Sequence, residues 1–250
     1  MDNSLKMRAY NTALRLFGNR MVINEHFVPA LGLELAPYLE TGDTTAVHHL
    51  LRYQWAAAVL ADSPPASLLD IACGSGYGSA MLAASLPNAR ILGADYDPTA
   101  IRYATEHYAT DRVRFIEADG ERWSQTIGDE RFDCVVSFDT LEHSRHREIF
   151  MENLVNHLAP GGRLLLSTPS GHPENVLKPR WLHHHIEYSS ASLYDFLHRY
   201  FGVVRRPEDA DFPQRAVFDQ LQGSSVTYTL QMNPVLCEEP IQIKNPYAPS

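Results

Sequence analysis

Asp70, Asp95, Asp119 and Asp139 each stand at or just beyond the end of a short apolar run. Such runs read as buried parallel strands. In open parallel sheets, ligands bind outside the carboxyl ends of the strands, so four acids delivered there could together grip a polar ligand. The first of them leads into Leu68-Leu69-Asp70-Ile71-Ala72-Cys73-Gly74-Ser75-Gly76-Tyr77-Gly78. That stretch is an apolar run, an acid, a glycine-rich turn and the start of a helical pattern. Gly74 and Gly76 permit positive φ and let a ligand come close to the backbone. Taken singly, any of these acids could merely cap a helix. Four in register favour a ligand.

Glycine-rich loops also cradle dinucleotides and nucleotide phosphates. A dinucleotide fingerprint would need a third glycine at position 79, which is Ser79. A phosphate loop would need Gly-Lys-Ser/Thr after the turn, and that is absent. Downstream, Arg90–Asp95 reads as a second strand, and Tyr96 could pack on a purine. Val113–Ala118 then leads to Asp119-Gly120, and Phe132–Phe138 leads to Asp139.

This series resembles the class I S-adenosylmethionine (SAM)-dependent methyltransferases. The likeness rests on Asp70-x-x-x-Gly74-x-Gly76, Gly93-x-Asp95, Glu117-Ala118-Asp119-Gly120, Phe132-Asp133 through Asp139, and Leu158-Ala159-Pro160-Gly161-Gly162-Arg163-Leu164. The resemblance implies an α/β fold. Its seven-stranded, mostly parallel Rossmann-like sheet would carry helices on both faces and a helical N-terminal lid. It also implies roles. Asp70 orients the loop, and the backbone of Ala72, Cys73, Gly74 and Gly76 meets the methionine part of SAM. Asp95 binds the ribose hydroxyls. Asp119 and Gly120 read the adenine, and Phe138 and Asp139 cover the sulfonium. His48 to Ala56 resembles a His-x-x-Arg-Tyr-x-Phe/Trp-Ala signature, in which Arg52 and Tyr53 lie against the SAM carboxylate. A guanidinium suits a carboxylate because it donates in a planar fork. The alternative for Arg52 is a surface ion pair.

Methyl transfer needs an aligned acceptor and, for a hydroxyl or protonated amine, a base. His143, in Asp139-Thr140-Leu141-Glu142-His143, is one candidate; shaping the loop is its other reading. His183-His184-His185-Ile186-Glu187-Tyr188 is the second conspicuous run. Adjacent residues do not easily converge on one ion, so no metal is expected from it. The family instead carries His-x-x-Glu-Tyr-Ser/Thr over the acceptor pocket, matched by His184, Glu187, Tyr188 and Ser189. Asp139, His143, His184 and Tyr188 are therefore the candidate catalytic residues. Trp181 and Tyr188 either line that pocket or pack in the core.

Three segments are expected: a lid at 1–45, the SAM-binding domain at 46–232, and a proline-rich tail at 233–250. Leu5–Phe17 reads as a helix, and the segment either covers SAM or packs on a sheet edge. Val226–Met232 is expected to be the last strand, paired with Phe201–Arg205. The net charge of −9 disfavours a nucleic-acid substrate. Three scattered cysteines fit a reduced cytoplasmic protein. No run reaches membrane-spanning length and no signal-peptide pattern is present, so no membrane partner is expected.

The expected activity is methyl transfer from SAM to a small acceptor, such as a sugar or secondary-metabolite intermediate, with a homodimer left open. Two other functions remain at this stage. One is a SAM-consuming cyclase or alkyltransferase, in which the SAM amine attacks its own γ-carbon to give azetidine-2-carboxylate and methylthioadenosine. The other is a non-catalytic SAM binder.

Overall fold

The computed structural model describes residues 26–122, 124–180, 183–221 and 234–241. The expected helix at Leu5–Phe17, the strand at Val226–Met232 and the side chain of Trp181 lie outside them. The elements run α1 (Ala36–Thr41), α2 (Thr44–Ala61), β1 (Ser67–Ile71), α3 (Tyr77–Ser85), β2 (Arg90–Asp95), α4 (Pro98–Tyr108), β3 (Val113–Glu117), α5 (Ser124–Ile127) and β4 (Phe132–Phe138). Then come a 3-10 turn at Leu141–His143, α6 (Arg147–Asn156), β5 (Leu158–Ser167), α7 (Ser190–Leu197), β6 (Phe201–Arg205), a 3-10 stretch at Arg215–Leu221, and β7 (Pro234–Pro240). The strands form one seven-stranded sheet in the order β3-β2-β1-β4-β5-β7-β6. It is the expected mostly parallel α/β sheet, with β7 antiparallel to both of its neighbours.

The strand that completes the sheet lies in the segment read as a tail. Pro234 and Pro240 bracket Val235-Leu236-Cys237, which are buried and pair with β5 and β6. Proline is tolerated at strand ends, where a missing N–H costs no ladder bond. The apolar pattern of Leu141–Leu158 reads as one helix, but the structure breaks it. Leu141–His143 is a separate 3-10 turn, and α6 begins at Arg147. Pro160-Gly161-Gly162 do not precede β5 but bulge within it. The β4 register shifts between Phe132↔Leu158 and Cys134↔Arg163, and Gly161 takes φ +75.

The chain divides into two units. The first comprises residues 1–66, 72–117 and 213–229, and the second residues 67–71, 118–212 and 230–250. In the first, Asp43 caps α2 by accepting from the Ala46 N–H at 3.0 Å. The face of α2 carrying Leu51, Trp55 and Val59 is buried. Trp55 also donates its indole N–H to the Pro213 carbonyl at 2.9 Å, which ties the late 3-10 stretch to α2. In the second unit, Leu164, Leu165 and Leu166 of β5 pair with β4 on one side and β7 on the other. All three are fully buried, as expected of a central strand.

Candidate functional site

In the first unit the glycine loop leaves a sheet strand and enters α3. Ala72, Gly74 and Gly76 all hold positive φ, at 60°, 54° and 82°. Gly76 is the constrained one: a Cβ there would lie 2.6 Å from the Ala104 Cβ and 2.9 Å from the Phe115 ring. The loop is tied down at both ends. Cys73 donates its N–H to the Ala94 carbonyl at 3.0 Å, and Gly76 donates to Cys73 at 3.0 Å. Asp95, only 2% exposed, accepts from the Gly74 N–H through Oδ2 at 2.8 Å and from the Asp97 N–H through Oδ1 at 3.0 Å. Burial pushes the Asp95 carboxyl up, against the pull of His26 and the two backbone N–H groups. The acid expected to bind ribose is thus also the anchor of the loop. A carboxylate has about four lone-pair sites, so two backbone donors leave room for a diol.

Two residues outside the expected set stand against this loop. His26 Nε2 lies 3.8 Å from Asp95 Oδ1 and 3.4 Å from Asp97 Oδ2. Its Nδ1 would be 3.1 Å from a Cβ on Gly74. Phe27 accepts from the Ser75 hydroxyl at 2.7 Å through its carbonyl. Its ring stacks on His49 at 4.8 Å and meets Tyr77 edge-on at 5.1 Å. Nothing in the spacing of His26 or Phe27 signals this, because residues 20–35 have no periodicity.

Arg52 is 1% exposed, with Nη2 3.4 Å from His49 Nδ1. Tyr53 packs its ring on the first turn of α3, where a Cβ on Gly78 would sit 2.0 Å from the Tyr53 Cζ. Both residues of the His-x-x-Arg-Tyr signature are therefore on the buried face of α2. Tyr96 is 61% exposed.

In the second unit, Asp70 is fully buried at the Val136 register of β1. Asp119 is exposed and uses Oδ1 to accept from the Glu121 N–H at 2.9 Å, so its carboxylate closes a turn. Gly120 packs tightly: a Cβ would lie 2.6 Å from the Phe150 ring. Phe138 is 8% exposed. Asp139 sits at φ +52, a left-handed conformation that Asp tolerates better than most residues. Ser167 holds it there. Its hydroxyl donates to Asp139 Oδ1 at 2.9 Å, and its carbonyl accepts the Asp139 N–H at 2.9 Å.

The second unit also brings together the histidines of both conspicuous runs. His185 donates its N–H to the Glu142 carbonyl at 2.7 Å, and His143 Nδ1 faces the His183 carbonyl at 3.2 Å. These two bonds strap the 183–185 loop to the Leu141–His143 turn. The rings of His143 and His184 meet edge-on at 4.8 Å. His184 Nδ1 is 2.8 Å from Glu187 Oε1, and His172 Nε2 is 2.9 Å from Glu187 Oε2. Glu187 is itself held by paired backbone bonds with Val176, at 2.8 and 3.0 Å. Glu142 is 1% exposed and accepts from the Thr168 hydroxyl at 2.8 Å. One potential donor atom from each of Glu142, His143 and His184 lies within 4.8 Å of the other two. The sequence singled out His143 and His184, whose rings meet here, and passed over Glu142 and His172.

Tyr188 does not join this group as an accessible phenol. It is 3% exposed, and its ring stacks on Phe196 at 6.1 Å. Burial drives its pKa well above the ordinary value, so the hydroxyl holds its proton. Its hydroxyl has no hydrogen-bond partner among the described residues. Packing is the role its position supports.

A family model described as a methyltransferase domain matches residues 68–162. A tRNA1(Val) (adenine(37)-N6)-methyltransferase of Porphyromonas gingivalis is 34% identical over 138 residues, covering 46% of this chain and 54% of that protein. A trans-aconitate 2-methyltransferase of Delftia acidovorans is 28% identical over 171 residues, covering 67% and 60%. The chain thus spans about half the length of the curated relatives it matches. Among solved structures, the N-methyltransferase NodS of Bradyrhizobium japonicum WM9 with S-adenosylhomocysteine superposes with a TM-score of 0.54 at 18% identity, over 89% of this chain and 95% of that one. The [4+2]-cyclase SpnF superposes with a TM-score of 0.57 at 16% identity, over 79% and 83%. Among the described residues no helix is long and apolar enough to cross a membrane.

Proposed function

We propose that the chain, in which residues 68–162 match a methyltransferase-domain model, is a class I SAM-dependent methyltransferase that methylates a small-molecule acceptor at a hydroxyl or amine. SAM supplies an electrophilic methyl carbon on a sulfonium. On this reading the Gly74–Gly76 loop and Asp95 hold it. The roles expected of Arg52, Asp70, Asp119, Gly120, Phe138 and Asp139 belong to the same proposal. The observation that carries the acceptor class is the His143–His184 ring pair, each ring held at Nδ1, His143 by the His183 carbonyl at 3.2 Å and His184 by Glu187 Oε1 at 2.8 Å. A carboxylate that fixes one imidazole nitrogen prepares the other to take a proton, the logic of an acid-backed base. A carbon or thioether acceptor would leave such a base with less to do. His143, 37% exposed at the side chain, is the more accessible imidazole of the pair. Its Nδ1 is held by the His183 carbonyl at 3.2 Å, so its Nε2 is the nitrogen we assign to proton removal in the metal-free chain.

The net charge of −9 supports a small acceptor rather than a polyanion. The test is S-adenosylhomocysteine release across a panel of sugars, phenols, amines and thiols. The reading expects turnover with O–H or N–H acceptors. It also expects a drop in kcat of about 10²–10⁴-fold in His143→Ala, as for loss of a general base. Turnover confined to carbon or sulfur nucleophiles, or an unimpaired His143→Ala, would overturn it.

A further inference from the structure

The histidine cluster of the second unit has a tautomer pattern that a base alone does not require. The His183 carbonyl can only accept, so the Nδ1 that faces it at 3.2 Å carries the proton of His143. The Glu187 carboxylate likewise accepts, so Nδ1 carries the proton of His184. In the neutral rings both lone pairs then lie on Nε2. A histidine whose Nδ1–H is held by a carboxylate or a backbone carbonyl is the usual arrangement of a metal ligand.

The third donor is Glu142. Its Oε1 is 3.9 Å from His143 Nε2, while its carboxylate also accepts from the Thr168 hydroxyl. The backbone bond from His185 to Glu142 fixes the spacing of the two segments that carry these donors. Behind them, Glu187 bridges His184 and His172 and is locked to Val176. Each donor therefore has an orienting partner of the kind that supports metal ligands.

We propose that Glu142, His143 and His184 form a site for a first-row divalent cation of the zinc class. Two imidazoles and one carboxylate are borderline-to-hard donors that suit Zn²⁺, Co²⁺ or Fe²⁺ better than Ca²⁺. Nitrogen and oxygen ligands at about 2.0–2.2 Å from a tetrahedral ion lie about 3.4 Å apart. The donors lie within 4.8 Å of one another, and binding would draw them closer to that spacing. Glu142 is buried, His184 half-buried and His143 exposed, so the arrangement has a side open to solvent. Three protein ligands with an open position is the form of a catalytic rather than a structural ion site. An acceptor hydroxyl on that position would lose its proton to water more readily. With the ion bound, His143 would serve as a ligand and promote proton loss through the ion, which deepens the reading above and rests on it.

Binding can be read without any methyl transfer, so the site and the proposed activity stand or fall separately. The chelator-stripped chain is titrated with Co²⁺, followed by its visible ligand-field bands, and then with Zn²⁺ as competitor. The expected result is one Co²⁺ per chain, displaced by Zn²⁺. Affinity should fall at least about 100-fold in His143→Ala, His184→Ala and Glu142→Gln. It should be unchanged in His107→Ala, at an exposed position of α4. SAM affinity serves as the check that each variant is folded. X-ray absorption of Co²⁺-loaded wild type covers the case of a variant that fails to fold, and should count two imidazoles. No Co²⁺ bound at sub-millimolar concentration, equal binding in folded variants, or an imidazole count other than two would overturn the site.

Discussion

The Gly74 backbone N–H donates to Oδ2 of Asp95 over 2.8 Å, while Oδ1 of the same carboxylate takes the Asp97 N–H. One side chain at the end of β2 therefore sets the glycine loop and the start of α4 together. Asp95→Asn keeps the shape but has a single acceptor oxygen, so one of the two buried N–H groups loses its partner. The expected cost is about 1–3 kcal/mol of stability. SAM affinity should fall at least about tenfold, since a charged acceptor is also lost. Denaturant unfolding and calorimetric SAM titration read the two effects. A variant with unchanged SAM affinity would remove Asp95 from the binding account.

His26 lies over the same loop, with Nε2 3.4 Å from Asp97 and 3.8 Å from Asp95. We expect that a ligand using the Gly74 and Asp95 surface displaces that ring. The fraction of molecules competent to bind is then below one, and the apparent affinity is reduced by that fraction. His26→Ala should raise the SAM association rate by about 2–10-fold, measured by stopped-flow quenching of intrinsic fluorescence. A slower association would mean that His26 helps to bind SAM.

Glu121 and Asp95 should tilt stability with pH in opposite directions. Burial works against the ionised Glu121, but the His146 N–H, the Ser144 hydroxyl and the Arg145 N–H overcome it and hold its pKa below the usual value. Its contribution is therefore full above the unfolded value of about 4.3 and disappears as pH falls through the lower folded pKa. Asp95 is raised by burial, so its folded pKa exceeds the unfolded one. Stability then falls as pH rises between the two and is flat above. Glu121→Gln should cost about 1 kcal/mol at neutral pH, as for weakened hydrogen bonds to the Ser144 hydroxyl and the Arg145 and His146 N–H groups. The gap to wild type should close in acid. Urea midpoints across a pH series check this, and a gap that widens in acid would contradict it.

Glu187→Gln leaves a neutral amide between His184 and His172. An amide oxygen accepts more weakly, and the ring of His184 loses its charged partner. Cation affinity should drop about 10–100-fold, the usual penalty for removing a carboxylate behind a histidine ligand. Cobalt titration of the folded variant measures it. Unchanged affinity would mean that Glu187 does not orient the site.

Most strands were legible because each is a short apolar run closed by an acid or a turn. Arg90–Asp95 and Phe132–Phe138 fall where the pattern puts them. β7 was not legible, because Pro234 and Pro240 make a central antiparallel strand look like an extended tail. The bulge in β5 was hidden for a related reason: Pro160-Gly161-Gly162 reads as a stop, and only pairing with β4 shows that the strand resumes on the same line. The glycine loop and its acids were legible through residue type and order. Their partners were less so. His184 stood out as part of a histidine run, but Glu142 becomes its neighbour only through the bond from the His185 N–H to the Glu142 carbonyl, which no local spacing encodes. His26 meets Asp95 by a similarly distant contact, from a segment with no periodic pattern.

The most direct test of the account follows the fate of the methyl carbon. The purified chain is given SAM labelled with ¹³C at the methyl, with and without a pool of hydroxyl and amine small molecules, and all products are identified by mass spectrometry. Methyl transfer predicts S-adenosylhomocysteine only when an acceptor is present, matched mole for mole by a product one labelled methyl heavier. Labelled methylthioadenosine formed from SAM alone, with a cyclic four-carbon amino acid, would contradict methyl transfer.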